Sequence, residues 1–233
     1  MSMFSDEDDE GTGPIDPAVL AALPIFPLPN VVLFPGALLP LHIFEPRYRT
    51  LTKDVLDSHH MLAMAMRLED ELPGRGTPAV APVVGVGEVV AAEPLSDGRF
   101  NLLVEGRARA RIVKELSSTK PYRLVQAVQL FEGDDREATL PGSRLAESDA
   151  ALRALIEEVA LRLEDEDALA LRQTVAQPLR LGMLVDRLAS VLVTKAQVRQ
   201  TLLETLDPGA RVDSLSREIA GLLTHLRPRS ALN

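Results

Sequence analysis

Apolar residues follow two regimes along the chain. From Leu23 to about Phe131 they fall in short runs broken by Pro, Gly and Asn: "PIFPL", "VVLF", "LLPLHIF", "MLAMAM", "VVGVGEVVAAEPL", "RFNLLVEG" and "YRLVQAVQLF". Runs of this length, bounded by turn formers, predict short strands in a bent sheet or barrel. Proline supplies no ladder donor, so it belongs at strand ends, edges or bulges. The segment "RARARIVKEL" alternates, with Ala108, Ala110 and Ile112 on one side and Arg107, Arg109 and Arg111 on the other. One stretch changes period. Tyr48, Leu51, Thr52, Val55 and Leu56 recur at helical spacing behind Pro46, which predicts a helix over 46–58. Residues 67–82 read as a loop, "SDG" as a turn, and the glycines of "VVGVGEVV" as a bulge signal.

Past residues 132–143, "EGDDREATLPGS", which read as a linker, the period becomes helical. Leu152, Leu155, Ile156, Val159 and Leu163 share one face; Leu181, Leu184, Val185, Leu188, Val191 and Leu192 share another. Thr194 with Gln197 fits a capping box, and Asp207–Pro208 fits an N-cap followed by Pro at the first helical position. A strand-rich part followed by about four helices is an α+β architecture.

Charge is uneven. Of the 34 acidic residues, six (Asp6, Glu7, Asp8, Asp9, Glu10 and Asp16) lie in residues 1–22, which hold no Lys or Arg. That segment reads as an acidic, disordered tail. The remainder carries 28 acids against 25 bases, a net charge of −3, which argues against broad binding to a phosphate backbone. Trp is absent and aromatics make up 3%, so stacking platforms for single-stranded nucleic acid are lacking. The protein has no Cys, which excludes disulfides, Cys-ligated zinc and thiol nucleophiles and fits a reducing cytoplasm. No signal peptide or membrane span is expected from the pattern.

The stretch "LPIFPLPNVVLFPGALLPLHIFEPRYRTL" carries "FPL", "VLFPG", "LPL" and "IFEPRY" in that order. With "VVGVGEVV" and "DGRFNLLVEGRARARIVKEL", it resembles the Lon-type N-terminal domain, also called the Lon substrate-binding domain. The resemblance covers residues 23–131, and the helices over 144–228 are similar to the helical region that follows in that family. It implies a PUA-like β pseudo-barrel, then an all-helical C-terminal subdomain, and a role in recognising polypeptide segments or a protein partner. No G-x-x-x-x-G-K-[ST] loop is present, and Ser190 and Lys195 sit across an interhelical break rather than as a catalytic pair. The expectation is therefore a stand-alone, non-catalytic relative without the Lon ATPase or protease domains.

No catalytic constellation, cofactor motif or metal-ligand set stands out. Adjacent His59 and His60 are expected at a helix C-terminus, and His42 as a hydrogen-bonded structural histidine. Two groups remain as binding candidates. Glu45, Arg47 and Tyr48 stand at a strand-to-helix junction, as capping and ion-pairing residues or as the rim of a peptide groove. Arg107, Arg109 and Arg111 form a basic stripe, the one feature favouring an RNA-binding alternative; cross-strand pairs with Glu88, Glu93, Glu105 and Glu115 explain it more cheaply. A peptidase has no support from the residues.

Overall fold

The computed structural model describes residues 13–68 and 79–225. The protein divides into two compact units, Met1–Leu130 and Phe131–Asn233.

The first unit opens with a short helix, α1 (Pro17–Ala21). Asp16 caps it by accepting a 2.8 Å hydrogen bond from Ala18 N, and Pro17 takes the first helical position. This corrects the expected tail: residues 13–22 are ordered because Val19 and Leu20 are buried and Gln129 holds the Ile15 backbone. The acidic run over 6–10 lies outside the described residues. Then come β1 (Leu23–Leu28), β2 (Leu38–Ile43), the helix α2 (Pro46–Leu56), β3 (Met61–Met66), β4 (Val83–Pro94), β5 (Phe100–Leu116) and β6 (Arg123–Leu130).

The strands run β2-β5-β4-β3-β1-β6, and β6 also pairs with β5. That second pairing closes five strands into a ring, with β2 laid along the N-terminal half of β5. Among the described strands, only β1 and β3 pair in parallel, with α2 supplying the crossover a parallel pair needs. Strand β5, 17 residues long, serves two neighbourhoods: residues 100–105 pair with β2 and the far half of β4, and residues 109–116 pair with β6. Bulges turn the strands between them. Register shifts leave Arg107, Val90 and Val113 without a directly opposed partner.

Alternation sends the two faces of these strands into separate cores. One gathers Leu23, Ile25, Ala63, Ala65, Val84, Val86, Ala108, Ala110, Val125 and Ala127 with Val19 and Leu20 of α1. The other gathers Phe26, Leu62, Met64, Val89, Leu102 and Val104 under Tyr48, Leu51 and Val55 of α2. The run "VVLF", expected as a strand, is not one. It crosses the second face as an irregular segment with Leu33 and Phe34 almost fully buried. Two glycines make that crossing possible: a Cβ on Gly85 would lie 1.9 Å from the Leu33 carbonyl oxygen, and one on Gly106 2.0 Å from that of Phe34. Gly106 also exchanges backbone hydrogen bonds with Gly36 and Ala37 (2.8 and 2.9 Å), replacing the ladder the segment gave up.

The expected loop over 67–82 is bridged at its ends by Arg67 and Val80, and residues 69–78 lie outside the described residues. No helix among the described residues is long and apolar enough to cross a membrane.

The second unit holds α3 (Arg144–Ala160), α4 (Asp165–Ala176), α5 (Leu181–Leu192), α6 (Ala196–Glu204) and α7 (Pro208–His225). Helix α3 packs on α4 and α7, and α5 on α7, around buried Leu152, Ile156, Leu184, Leu188 and Leu215. Asp207 caps α7, its carboxylate accepting from Ala210 N at 2.6 Å. The capping box expected at Thr194 does not form: α6 starts one residue later, behind Lys195, whose side chain makes no capping hydrogen bond. Residues 132–143 carry a 3-10 turn (Arg136–Thr139) and contribute two anchors. Asp135 caps α5 from outside the helix, accepting from Gly182 N at 3.1 Å, and Glu132 joins a buried network with Arg211 and Asp186.

Candidate functional site

Helix α2 begins where the backbone leaving β2 turns away behind Glu45. Pro46 starts it without wasting a donor, and Glu45 provides the N-cap backbone. Glu45 does not cap with its side chain. Its carboxylate instead accepts from Arg47 Nε at 3.0 Å and Nη2 at 2.9 Å. The Arg47 guanidinium lies 4.5 Å over the Tyr48 ring, and that ring packs at 4.1 Å against Phe26 from β1. Three consecutive contacts therefore stack an ion pair on an aromatic core residue that is only 5% exposed.

Arg47 and Tyr48 open into a cleft of about 240 Å³, completed by Pro27, Arg67, Pro121, Tyr122 and Arg123. Among the described residues, the lining carries three guanidiniums and no carboxylate. Arg123 is held by Glu115 at 2.8 Å, while the exposed Arg67 side chain makes no ion pair among the described residues. Burial raises the Tyr48 pKa above its ordinary 10.0 although Arg47, Arg123 and Arg67 all pull it down, so its hydroxyl stays a proton donor. The Tyr48 hydroxyl has no hydrogen-bond partner among the described residues. Tyr122 differs: its hydroxyl donates to Asp54 at 2.6 Å, and Lys120 binds the same carboxylate at 2.7 Å. Burial and that Asp54 hydrogen bond push the Tyr122 pKa well up, and the bonds from Lys120 and Tyr122 hold Asp54 below the usual carboxylate range.

Of the sequence candidates, the structure brings Arg47 and Tyr48 into this cleft, with Glu45 behind Arg47. It does not bring Arg107, Arg109 and Arg111 there, and it breaks them up as a stripe. The bulge at Arg107 takes that residue out of the alternation and into ion pairs with Glu88 (2.9 Å) and Glu105 (3.0 Å). Arg109, opposite Gly85, lies on the face away from Ala108 and Ala110 yet is 2% exposed; Arg111 alone of the three is open to solvent. The feature that favoured RNA is thus dispersed. Sequence reasoning missed Pro27, Arg67, Pro121, Tyr122 and Arg123. One signal pointed to them: the sequence has only two tyrosines, and both line this cleft.

The histidines divide as follows. His42 bridges Asn101 (2.8 Å) and Arg99 (3.1 Å) on the β2–β5 surface. His59 does stand at the end of α2, but as a neutral acceptor: its Nδ1 takes a 3.0 Å hydrogen bond from Met61 N, and burial, helped by His60, lowers its pKa. His60 adopts a left-handed backbone (φ 59°) where the backbone leaves the helix. The Ser190 hydroxyl donates to the Arg187 carbonyl at 2.7 Å. Among the described residues, no group of three or more His, Cys, Asp or Glu side chains is placed to hold a metal ion.

A larger hollow of about 690 Å³ lies in the helical unit. Its cations are spent: Arg136 pairs with Asp134, Arg153 with Asp149 and Arg180 with Asp135. The cleft of the first unit is smaller but keeps unsatisfied charge and a free hydroxyl.

A family model described as the ATP-dependent protease La (LON) substrate-binding domain matches residues 22–220. Lon protease of Roseiflexus castenholzii is 34% identical over 198 residues, covering 84% of this chain and 23% of that protein. Lon protease of Desulfovibrio desulfuricans is 28% identical over 235 residues, covering 97% of this chain and 25% of that protein. The chain spans about a quarter of the length of these relatives. Among solved structures, the N-terminal domain of the Mycobacterium avium complex Lon protease superposes with a TM-score of 0.64 at 20% identity, covering 85% of this chain and 98% of that one. The Lon N-terminal domain protein from Xanthomonas campestris gives 0.59 at 23% identity, covering 83% and 96%. At these identities the structural likeness speaks for the fold.

Proposed function

The chain belongs to the Lon substrate-binding domain family, and from that premise we propose that it is a non-catalytic module that binds polypeptide. The observation that carries the reading is the cleft beside α2. Two tyrosines and two prolines offer apolar surface for a side chain, and guanidiniums at the rim offer donors to a peptide backbone or an acidic group. This combination of aromatic floor and Arg is typical of protein-binding hot spots. Among the described residues it brings together no paired nucleophile and base, so it supports recognition rather than hydrolysis. The partners we infer are extended polypeptide segments, not nucleic acid.

The test is a titration of the full-length protein into a fluorescently labelled, permanently unfolded model protein, read as anisotropy. Saturable binding is expected, competed by excess unlabelled unfolded polypeptide and weakened by Arg47→Asp at the rim. No rise in anisotropy up to about 100 µM protein, the weak end of specific recognition, would overturn the proposal. So would binding that Arg47→Asp leaves unchanged, since the cleft would then be the wrong place.

A further inference from the structure

We propose that the group this cleft anchors in a polypeptide is a carboxylate, held by Arg67 and the Tyr48 hydroxyl; the inference rests on the polypeptide-binding reading above. Three observations on charge and donors carry it. First, Pro27, Arg47, Tyr48, Arg67, Pro121, Tyr122 and Arg123 line the cleft, with positive charge and, among the described residues, no acid. Second, that charge is mostly answered already. Glu45 lies 2.9 Å from Arg47 and Glu115 2.8 Å from Arg123, whereas Arg67 has no ion pair or side-chain hydrogen bond among the described residues. One uncompensated positive charge matches a monoanion; a phosphate dianion would leave charge over. Third, Tyr48 is 95% buried, since its exposure is 5%, yet its hydroxyl has no partner among the described residues while it lines the cleft. Its oxygen opens into the cleft, so a ligand acceptor can take this donor without displacing a protein partner. A carboxylate fits both: it accepts the guanidinium fork on one side and a hydroxyl on the other. Pro27, Pro121 and Tyr122 then cover the neighbouring apolar part of the peptide.

Two sources offer this group, an acidic side chain and the C-terminal end of a polypeptide, and peptides separate them. One apolar peptide is made four ways: with a free C-terminal carboxylate and no acidic residue, as its C-terminal amide, as the amide with one internal Glu, and as the amide with Gln in that place. Affinities are measured by calorimetry against the full-length protein. A carboxylate form is expected to bind about tenfold tighter than its neutral counterpart, a gap typical of a charge-assisted contact, and the pair showing the gap identifies the source. Arg67→Gln is expected to close it. Tyr48→Phe, which keeps the ring against Phe26, is expected to narrow it. Equal binding of all four peptides would overturn the carboxylate anchor and leave the polypeptide reading standing. Binding of none would remove both. A phosphoserine peptide binding more than about tenfold tighter than either carboxylate form would overturn the monoanion argument, because a dianion should be the poorer match here.

Discussion

Replacing Gly85 by Ala tests the central packing claim of the first unit. The added Cβ would sit 1.9 Å from the Leu33 carbonyl oxygen and 2.8 Å from its carbon, about 1.5 Å inside the 3.4 Å at which ordinary contact begins. Both obstacles are backbone, so no rotamer change relieves them. Either β4 or the "VVLF" segment must move. Overpacking of this kind costs ~1–3 kcal/mol. If the segment lifts instead, Leu33 (1% exposed) and Phe34 (0%) lose burial worth ~1.5–3 kcal/mol each. The expected destabilisation is about 3 kcal/mol. With a urea slope of ~1–3 kcal/mol/M, the midpoint should fall by about 1–3 M. Tyrosine fluorescence is the right probe: Trp is absent, and both tyrosines, Tyr48 and Tyr122, lie in this unit. Gly106→Ala should behave alike, its Cβ meeting the Phe34 carbonyl at 2.0 Å. Gly221→Ala is the control, with no atom within 4 Å; as a helical Gly→Ala change in α7 it should stabilise the second unit by ~0.5–1 kcal/mol. A Gly85→Ala midpoint within about 0.2 M of the parent, well inside the shift that slope implies, would refute the reasoning.

The helical unit depends on a buried charge: Arg211 is 0% exposed, 2.7 Å from Asp186 and 2.7 Å from Glu132. Arg211→Met should cost about 3–5 kcal/mol by stranding Asp186, and Arg211→Met with Asp186→Leu should recover much of it; far-UV circular dichroism melts report this. Both tyrosine pKa values are raised by burial, so tyrosinate absorbance should appear only above pH 10.0 in the native protein, and Asp54→Asn should bring Tyr122 down. A raised folded pKa means stability fully present below pH 10.0 and lost as pH climbs toward the folded values; native tyrosines titrating at 10.0 would contradict the burial argument. His59 has the opposite sign. Its folded pKa lies below 6.5, so its contribution is present above 6.5 and lost as pH falls through the folded value. His59→Asn, which can still accept from Met61 N, should flatten that acid limb in pH-dependent melts.

Local pattern was enough for much of this protein. Pro46 and the spacing of Tyr48, Leu51 and Val55 placed α2; Asp207–Pro208 placed the start of α7; short apolar runs placed β1, β3, β4 and β6; the proline-rich opening pointed to the family. These features rest on contacts within a few residues, or on periodicity, which is written in the order of the residues themselves. Helix α4 was missed because its apolar face is thin: of its residues only Ala168 and Leu171 are buried. Tertiary structure decided the rest. "VVLF" is as good a strand as its neighbours by composition, yet it lost its ladder to Gly85 and Gly106, 52 and 73 residues beyond Leu33 in the numbering. The alternation behind the arginine stripe holds over residues 108–112, but it could not show that Arg107 is bulged and paired with two glutamates or that Arg109 is covered to 2% exposure. The cleft joins Arg47 and Tyr48 to Arg67 and to Pro121–Arg123 only because β1 pairs with both β3 and β6. Ring closure of that kind brings distant segments together through backbone hydrogen bonds, and nothing in the side chains of any one segment announces it.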